Sequence, residues 1–516
     1  MSEEGGQGGA SAWIAVAAGT IGSLMATIDT SVVSASLPTI QGEIGASQTE
    51  GTWISTAYLV AEIVMIPLAG WFDRLLGLRT FLMICTVLFT GFSILCGLSG
   101  SLGVMIIGRI GQGFTGGAMI PTALTIVSTM LPPAQRSIGI ALFGFTAVFG
   151  PVAGPILGGY LTENYSWHYA FFINIPLGVG LLALLIVGLP AKKAQLGLIA
   201  EADWLGIGGL ALGLGALTVV LEEGQRERWL ESPLIARLIV ASLVGFALLI
   251  VGQLTAKSPV IRLKIILTRA FGSVFVLSLI VGSALYGISY MLPQFLTSLA
   301  DYNAFQSGQV TFIIGVPSLL MMTIFPILEK HLDLRIAVAL GLAFYGVGCL
   351  LNAHLTIDTT GVNFAFSMII IGFGQFFALI FLNSASTSAV DQKYAEDASG
   401  LFNAARNLGG SFGLAVITSM RENRTWFHGE RYAENVTGNT LGAQDLITQN
   451  VAQLGMGDPV AGLERSYSTL NTTFQNAGTA LAFSDIFFIF GTMMLISIPL
   501  AFMLKPLPKG ESSQPA

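Results

Sequence analysis

Three charged side chains stand inside long apolar stretches of the sequence, where charge is rare. Counting 1.5 Å of helix per residue, Asp29 and Arg109 lie about 12 Å and about 10 Å from the ends of their stretches, so the two can share one layer and form an ion pair. Glu62 lies near the middle of another stretch, with Tyr58 one helical turn away. Because an apolar environment makes a charged carboxyl costly, the chemistry predicted for Glu62 is reversible protonation.

Each of these residues also has a purely structural interpretation. Asp29 and Arg109 would then form a salt bridge that only joins two helices, and Glu62 would only shape a water-filled cavity. A fourth charge, Arg406, lies seven residues into its apolar stretch and is followed by a pair of glycines. Since small residues allow helices to approach closely, we predict a structural role for Arg406 rather than substrate contact.

A segment rich in glycine and proline predicts a hinge. Its members are Gly150, Pro151, Gly154, Pro155, Gly158 and Gly159. Three of the glycines recur every four residues, so they form one smooth helix face that a second helix can approach backbone to backbone. Each proline removes one helix hydrogen bond. A kinked helix with such a face suits a hinge between two groups of helices.

A second cluster combines glycines with charges in a short turn. Its members are Gly70, Asp73, Arg74, Gly77 and Arg79. The glycines permit a tight connection between two helices, and the charged residues can pair with other charges and with helix ends. We expect this cluster to stabilise one conformation of the protein.

The elements that position these residues are predicted to be helices crossing a lipid bilayer. Of 516 residues, 53% are hydrophobic and 10% are charged, whereas a soluble domain carries roughly a quarter charged residues. A helix needs about 20 apolar residues to cross the hydrocarbon core. Such runs occur at residues 13–37, 52–72, 79–99, 102–122, 137–161, 168–189, 204–221, 234–254, 271–296, 308–328, 335–354, 363–387, 399–420 and 480–504. The predicted fold is an all-α polytopic membrane protein with fourteen transmembrane helices.

The positions of Lys and Arg predict the orientation, because short cytoplasmic loops collect these residues. With the N-terminus in the cytoplasm, fourteen Lys and Arg residues fall in inner segments. Only Arg226, Arg228 and Arg237 fall in short outer segments. The N and C termini are therefore both predicted to be cytoplasmic.

The spacing of the runs divides the chain into three parts. We predict an N-terminal six-helix bundle over residues 1–190, a two-helix linker insert over 191–260 and a C-terminal six-helix bundle over 261–516. Two-bundle transporters place their substrate between the bundles near the midplane. The polar outer segment 421–479, which has a helix-like stretch from Pro459 to Asn476, is either a solvated loop or a docking surface for an envelope partner.

Several classes of function lack their sequence features. No GxxxxGK[ST] loop is present, so direct use of ATP is not expected and an ion gradient, of H⁺ or Na⁺, must drive transport. The four histidines show no HExxH spacing, which argues against a metal site, an intramembrane protease or a transferase. No basic stripe interleaved with aromatic residues appears, so nucleic acid is not an expected partner. No cofactor or metal is predicted.

Together the motifs resemble the major facilitator superfamily, in particular its fourteen-helix drug:proton antiporters of the EmrB and QacA kind. The charged turn from Gly70 to Arg79 is similar to the family's GxxxDRxGR-type signature. Arg109 and Gln112 match its RxxQG element, which implies a part in proton coupling for both residues. The glycine and proline segment matches the antiporter motif that is typical of exporters.

The resemblance implies the major facilitator fold and proton-driven efflux of amphiphilic toxic compounds across the cytoplasmic membrane. Within this function we expect Asp29 and Glu62 to be alternative carriers of a proton or a cationic substrate and Arg109 to be the switch partner, with Tyr58 and Gln112 as further site residues. Glu62 is not part of a general signature of the family, so its predicted role rests on its depth alone. It also implies a periplasmic adaptor protein, which the segment 421–479 would contact, and an outer-membrane channel. The alternatives are export of one natural product, lipid or siderophore, or import of a metabolite; a membrane enzyme or receptor is the least supported.

Overall fold

A computed structural model of the chain describes residues 9–256, 259–391, 394–435 and 459–505, and residues 444, 445, 447–449 and 451 between the last two ranges. These residues form α-helices joined by short turns, so the all-helical prediction is confirmed. The long helices are α1 (Ala10–Ile44), α2 (Trp53–Leu76), α3 (Leu78–Gly97), α4 (Leu102–Met130), α5 (Pro133–Asn164), α6 (Tyr169–Gly188), α7 (Trp204–Glu223), α8 (Pro233–Thr255), α9 (Arg269–Leu299), α10 (Ala304–Met322), α11 (Leu334–Leu350), α12 (Gly361–Ser388), α13 (Ala395–Asn435) and α14 (Pro459–Ile496).

Among the described residues, eleven helices are long and apolar enough to cross a bilayer. The long helices outside that group are α4, α11 and α13. Helix α11 has 17 residues, α4 carries Arg109, Gln112 and several glycines, and α13 carries two acidic residues in its first turn together with Arg406. Fourteen crossings and two cytoplasmic termini therefore stay predictions.

The helices pack in two groups with one pair between them. In the first group α1 packs against α4, α5 and α6, while α2 and α3 both pack against α4. In the second group α13 packs against α9 and α14, and α12 packs against α10 and α11. The groups meet where α5 packs against α10 and where α2 and α4 pack against α13. The domain boundaries at residues 190 and 260 stay predictions.

Helices α7 and α8 form a tight pair through their glycines. A β-carbon at Gly245 would collide with Gly213, and one at Gly209 would collide with the backbone of Leu249. The hydroxyl of Ser242 also donates to the carbonyl of Gly213 at 2.9 Å. Helix α7 then packs against α2 and α13, so the pair lies beside the contact between the two groups.

Two helices continue beyond their predicted apolar runs into the segment 421–479. Helix α13 extends to Asn435 and α14 begins at Pro459, which confirms the helix-like stretch predicted there. Asp485 of α14 joins the two, because its Oδ2 accepts from Nε of Arg424 at 2.6 Å and lies 2.8 Å from Nε2 of His428. We call this pair of extensions the outer hairpin. Residues 436–443, 446, 450 and 452–458 of the segment lie outside the described residues.

Candidate functional site

Arg109 and Asp29 form a buried ion pair between α4 and α1. Nη1 of Arg109 lies 2.5 Å from Oδ2 of Asp29, and its Nε donates to the carbonyl of Ile54 at 3.1 Å. The two side chains are 1% and 0% exposed. The ion pair predicted from their depths is therefore confirmed, while its role in coupling stays a prediction.

Three neutral side chains complete the surroundings of Asp29. Its Oδ1 accepts from Nε2 of Gln112 at 2.9 Å and from Nδ2 of Asn174 at 2.7 Å. Both amides also donate to the hydroxyl of Ser93, at 2.8 Å and 3.2 Å. Gln112 accepts from Nη1 of Arg109 at 3.0 Å. Asn174 and Ser93 were not predicted, although a buried Asn within an apolar run is the signal that could have identified it.

Tyr58 belongs to the same layer as Arg109. The guanidinium carbon of Arg109 lies 4.2 Å from the centre of the Tyr58 ring, which is a cation–π contact. The Tyr58 hydroxyl donates to the carbonyl of Ala26 at 3.3 Å rather than to Glu62. We call the connected set of buried side chains around this guanidinium the Arg109 network; its members are Asp29, Tyr58, Ser93, Arg109, Gln112 and Asn174.

Glu62 is buried, and its carboxyl has no direct partner in the part of the chain that the structure describes. Its side chain is on α2, where a β-carbon at Gly117 of α4 would lie 2.7 Å from the Glu62 carbonyl oxygen, so the two backbones nearly touch. The residue is 6% exposed, yet its carboxyl makes no hydrogen bond or ion pair with any described residue. Its charge interacts at longer range with Arg406 and Arg109.

Arg406 is the second buried guanidinium. It lies on α13 and is 2% exposed, and its Nε and Nη1 have no hydrogen-bond partner among the described residues. Close helix approach is present as predicted, since β-carbons at Gly282 and Gly409 would collide with the backbones of α13 and α9, respectively. The neighbouring Asn407 accepts from the hydroxyl of Tyr286 at 3.1 Å.

The charged turn after α2 joins the two groups of helices on the predicted cytoplasmic side. Nη1 of Arg74 lies 3.5 Å from both Glu396 and Asp397 at the start of α13, and Nε of Arg262 lies 3.9 Å from Asp397. Burial raises the pKa of the Glu396 and Asp397 carboxyls, against the opposing effect of Arg74. We call these four residues the inner cluster.

The remaining residues of that turn shape it. Gly77 ends α2 with a φ of 78°, which a residue with a β-carbon rarely adopts. A β-carbon at Gly70 would lie 3.2 Å from Cβ of Glu396, so α2 passes close to α13. Arg79 donates from Nη1 to the carbonyl of Leu189 at 3.4 Å. Asp73 interacts electrostatically with Glu396.

Helix α5 lies between α1 and α10. β-carbons at Gly150 and Gly154 would collide with Thr27 and Ser31 of α1, and one at Gly158 would lie 2.6 Å from the carbonyl oxygen of Val32. On the opposite side, a β-carbon at Gly315 of α10 would lie 3.1 Å from the Val152 side chain. The helix remains continuous from Pro133 to Asn164 although Pro151 and Pro155 lie inside it.

Gly154→Ala and Gly159→Ala are expected to have opposite effects on stability. The added methyl at Gly154 must push α1 away and should cost about 1 to 3 kcal/mol. The methyl at Gly159 meets no described atom within 4 Å apart from the backbone of its own helical turn, and helix propensity should make this variant as stable as the wild type or more stable by up to about 1 kcal/mol. Melting temperatures in nanodiscs measure both; equal losses would contradict the close contact.

Comparison with known proteins identifies a family from the sequence and a matching fold from the structure. The profile of the Major Facilitator Superfamily matches residues 19–414. The chain is 32% identical over 477 residues to the colistin resistance protein EmrB of Acinetobacter baumannii, covering 92% of this chain and 91% of that protein. It is 30% identical over 491 residues to the multidrug export protein EmrB of Escherichia coli (strain K12), covering 94% of each. Among solved structures, the proton:xylose symporter XylE matches 96% of each chain with a TM-score of 0.62 at 15% identity, which shows a shared fold.

Proposed function

The chain belongs to the major facilitator superfamily and to its EmrB/QacA type, and from this we propose that it is a proton-driven exporter of amphiphilic toxic small molecules. It is a multi-pass protein of the inner membrane and a transporter rather than an enzyme. The observation that carries the proposal is the contrast between two buried carboxyls. Asp29 is fully paired in the Arg109 network, whereas the Glu62 carboxyl makes no hydrogen bond or ion pair with any described residue.

Glu62 is the proton carrier in this mechanism. Burying a charged carboxylate without a hydrogen-bond partner costs free energy, so a proton on Glu62 stabilises the conformation in which this side chain is buried. When a conformational change exposes Glu62 to water, its carboxylate form is solvated and the proton leaves. A cationic substrate and a proton then compete for the Glu62 carboxyl. This competition couples export of the substrate to import of the proton.

The Arg109 network holds the charge of Arg109 in place during this exchange. Asp29 accepts one charge-assisted bond from Arg109 and two bonds from the Gln112 and Asn174 amides, which fixes the orientation of its carboxyl group. Arg109 is thereby fixed against the ring of Tyr58, on the same helix as Glu62. Movement of α2 relative to α4 changes the field of Arg109 at Glu62, and this is how Arg109 acts as the switch partner.

The inner cluster and α5 provide the conformational change. The inner cluster holds the cytoplasmic ends of α2 and α13 together, while the glycine face of α5 lets α1 and α10 move against it. Opening toward the cytoplasm must break the ion pairs of Arg74. Opening toward the outside leaves them intact.

Arg74→Gln is expected to increase the fraction of molecules that are open on the cytoplasmic side. The substitution removes both ion pairs to α13, and because Arg74 is partly exposed each pair contributes at most about 1 kcal/mol. Spin labels on the inner ends of α3 and α9 measure the opening as a longer distance. Arg136→Gln is the matched control, since Arg136 donates from Nε to the carbonyl of Leu131 within its own group of helices and forms no ion pair with a described residue. Equal distance distributions in both variants would contradict the role of the inner cluster.

A periplasmic adaptor protein and an outer-membrane channel complete the proposed pathway. The support is the outer hairpin, which carries exposed apolar side chains such as Trp426 and Tyr467 beyond the predicted membrane runs. An adaptor that packs on these side chains would receive substrate on the outer side.

Growth of a host that lacks its own pumps tests the function. Expression of this chain should raise the resistance to a panel of lipophilic toxins, and co-expression of a candidate adaptor should raise it further. Everted vesicles should release protons when a transported toxin is added. If no toxin is exported and none moves protons, the proposed function is wrong.

A further inference from the structure

The turn between α7 and α8 contacts both groups of helices. It covers residues 224–232 and follows α7, which packs against α2 of the first group and α13 of the second. Its bonds reach the first residues of α2 and the outer half of α13, whereas the inner cluster joins the other ends of the same two helices. The turn therefore connects the groups on the predicted outer side.

Glu223 attaches the turn to α2. Its Oε1 accepts from Oγ1 of Thr56 at 2.8 Å and from Oγ1 of Thr52 at 3.3 Å. Its Oε2 lies 2.6 Å from Nη2 of Arg226, which also donates from Nη1 to Oγ1 of Thr52 at 2.9 Å. Glu223 is 2% exposed and Thr56 is 4% exposed. Because these bonds are charge-assisted and shielded from water, the attachment to α2 is strong.

The bonds to α13 are fewer and closer to water. Nε1 of Trp229 donates to Oγ of Ser419 at 3.2 Å and to Oε1 of Gln225 at 2.9 Å. Nε2 of Gln225 donates to Oε2 of Glu422 at 2.6 Å, at the exposed surface. Water can replace a partner at an exposed surface, so these bonds cost less to break than those of Glu223.

The backbone of the turn is strained where it brings Trp229 to α13. Arg228 and Trp229 have φ angles of 56° and 52°, in the left-handed region that side chains with a β-carbon rarely adopt. The Trp229 ring lies on Gly224, where a β-carbon would collide with it. Strained residues persist where surrounding contacts fix them, and they are concentrated at functional sites. A loop that only joined two helices would not need this conformation.

We propose that this turn is an outer latch, formed by Glu223, Gln225, Arg226 and Trp229, and that the α7–α8 pair moves with the first group when the protein opens outward. Outward opening separates α13 from α2, so the turn must release one of them. The weaker bonds assign the release to α13, together with the contact between Glu222 and Ser411. This inference goes beyond the proposed function, because it holds for any substrate and any driving ion.

Spin labels at three exposed positions on the predicted outer side test the latch. Cysteines that carry the labels replace Ser101 in the first group, Leu234 on α8 and Asp358 in the second group, two at a time; the three native cysteines are buried. Trp229→Phe keeps the ring and removes its N–H donor. In nanodiscs, the population with a longer 101–358 distance should rise about twofold to tenfold, as expected for loss of a hydrogen bond. The 234–358 distance should lengthen with it, and the 101–234 distance should not change.

Trp204→Phe is the matched control for this variant. Its indole N–H also donates over 3.2 Å, but to the carbonyl of Ile199 at the inner end of α7, so all three distances should keep their wild-type values. Glu223→Gln should lengthen the 101–234 distance instead, because it removes the charge that attaches the turn to α2. Glu422→Ala, at an exposed position that folding tolerates, should change the distances in the same direction as Trp229→Phe.

Two results would contradict the outer latch. In the first, neither folded Trp229→Phe nor Glu422→Ala has a longer 101–358 distance than the wild type. In the second, the 101–358 and 101–234 distances lengthen together while 234–358 is unchanged, which would show that the pair moves with the second group. The distances are measured without substrate or ion gradient, so a failure to export toxins counts against the proposed function and not against the outer latch.

Discussion

Replacing Asp29 with asparagine is expected to lower the stability by about 3 to 5 kcal/mol and to abolish transport. Asparagine keeps the shape of the side chain but removes the negative charge that lies 2.5 Å from Nη1 of Arg109. Because Arg109 is 1% exposed, its guanidinium cannot turn to water. Thermal melting in nanodiscs measures the first effect, and toxin uptake by everted vesicles measures the second.

A double variant separates folding from coupling. Asp29→Asn with Arg109→Gln removes both buried charges, and neutral replacements of a buried ion pair are often tolerated, so most of the lost stability should return. Transport should not return, because the charge of Arg109, which acts on Glu62 when the helices move, is absent. A double variant that transports as well as the wild type would show that the ion pair is only structural.

Glu62→Gln is expected to stop uphill transport without unfolding the protein. Glutamine has the same shape and cannot carry a proton, and no hydrogen bond or ion pair with a described residue is lost. Accumulation of a labelled cationic toxin in energised everted vesicles should fall to the level seen in vesicles that lack this protein. Passive exchange of a labelled neutral toxin for its unlabelled form should continue, because the helices can still move and a neutral substrate does not need the Glu62 carboxylate.

Glu163→Gln is the matched control for this variant. Glu163 is exposed near the end of α5, where a neutral side chain should change neither accumulation nor exchange. Retained accumulation in Glu62→Gln would contradict the assignment of Glu62 as the proton carrier. Loss of exchange as well as accumulation would assign Glu62 to substrate binding alone.

The positions of the membrane helices followed from the sequence because a bilayer sets a length for apolar runs. The ends of α13 and α14 did not, because helices outside the lipid obey no such length. Outside the predicted apolar runs, α13 continues as a polar helix to Asn435, and α14 begins as a polar helix at Pro459. Asp485 and its partners join the two helices. Glycine-rich α7 was identified as a run, but its close contact with α8 needed the structure.

The candidate site was predictable where charge was involved. A charge in an apolar run is costly and therefore easy to recognise, and counting residues along a helix gave the depths of Asp29 and Arg109. Neutral groups give a weaker signal, since a hydroxyl such as Ser93 can bond to its own helix and cost little in lipid. The rotation of a helix about its axis is also not given by depth. For that reason the sequence shows that Tyr58 lies one turn from Glu62, but only the structure shows that its ring contacts Arg109.

The central claim is exchange of protons for substrate, and reconstitution tests it most directly. Purified wild-type protein in liposomes, with a gradient of a transported cationic toxin and no initial pH difference, should move protons against the direction of the toxin. A pH-sensitive dye inside the liposomes reports this movement, and Glu62→Gln should abolish it. Toxin movement without any change of internal pH, or movement that depends on sodium instead, would contradict the account.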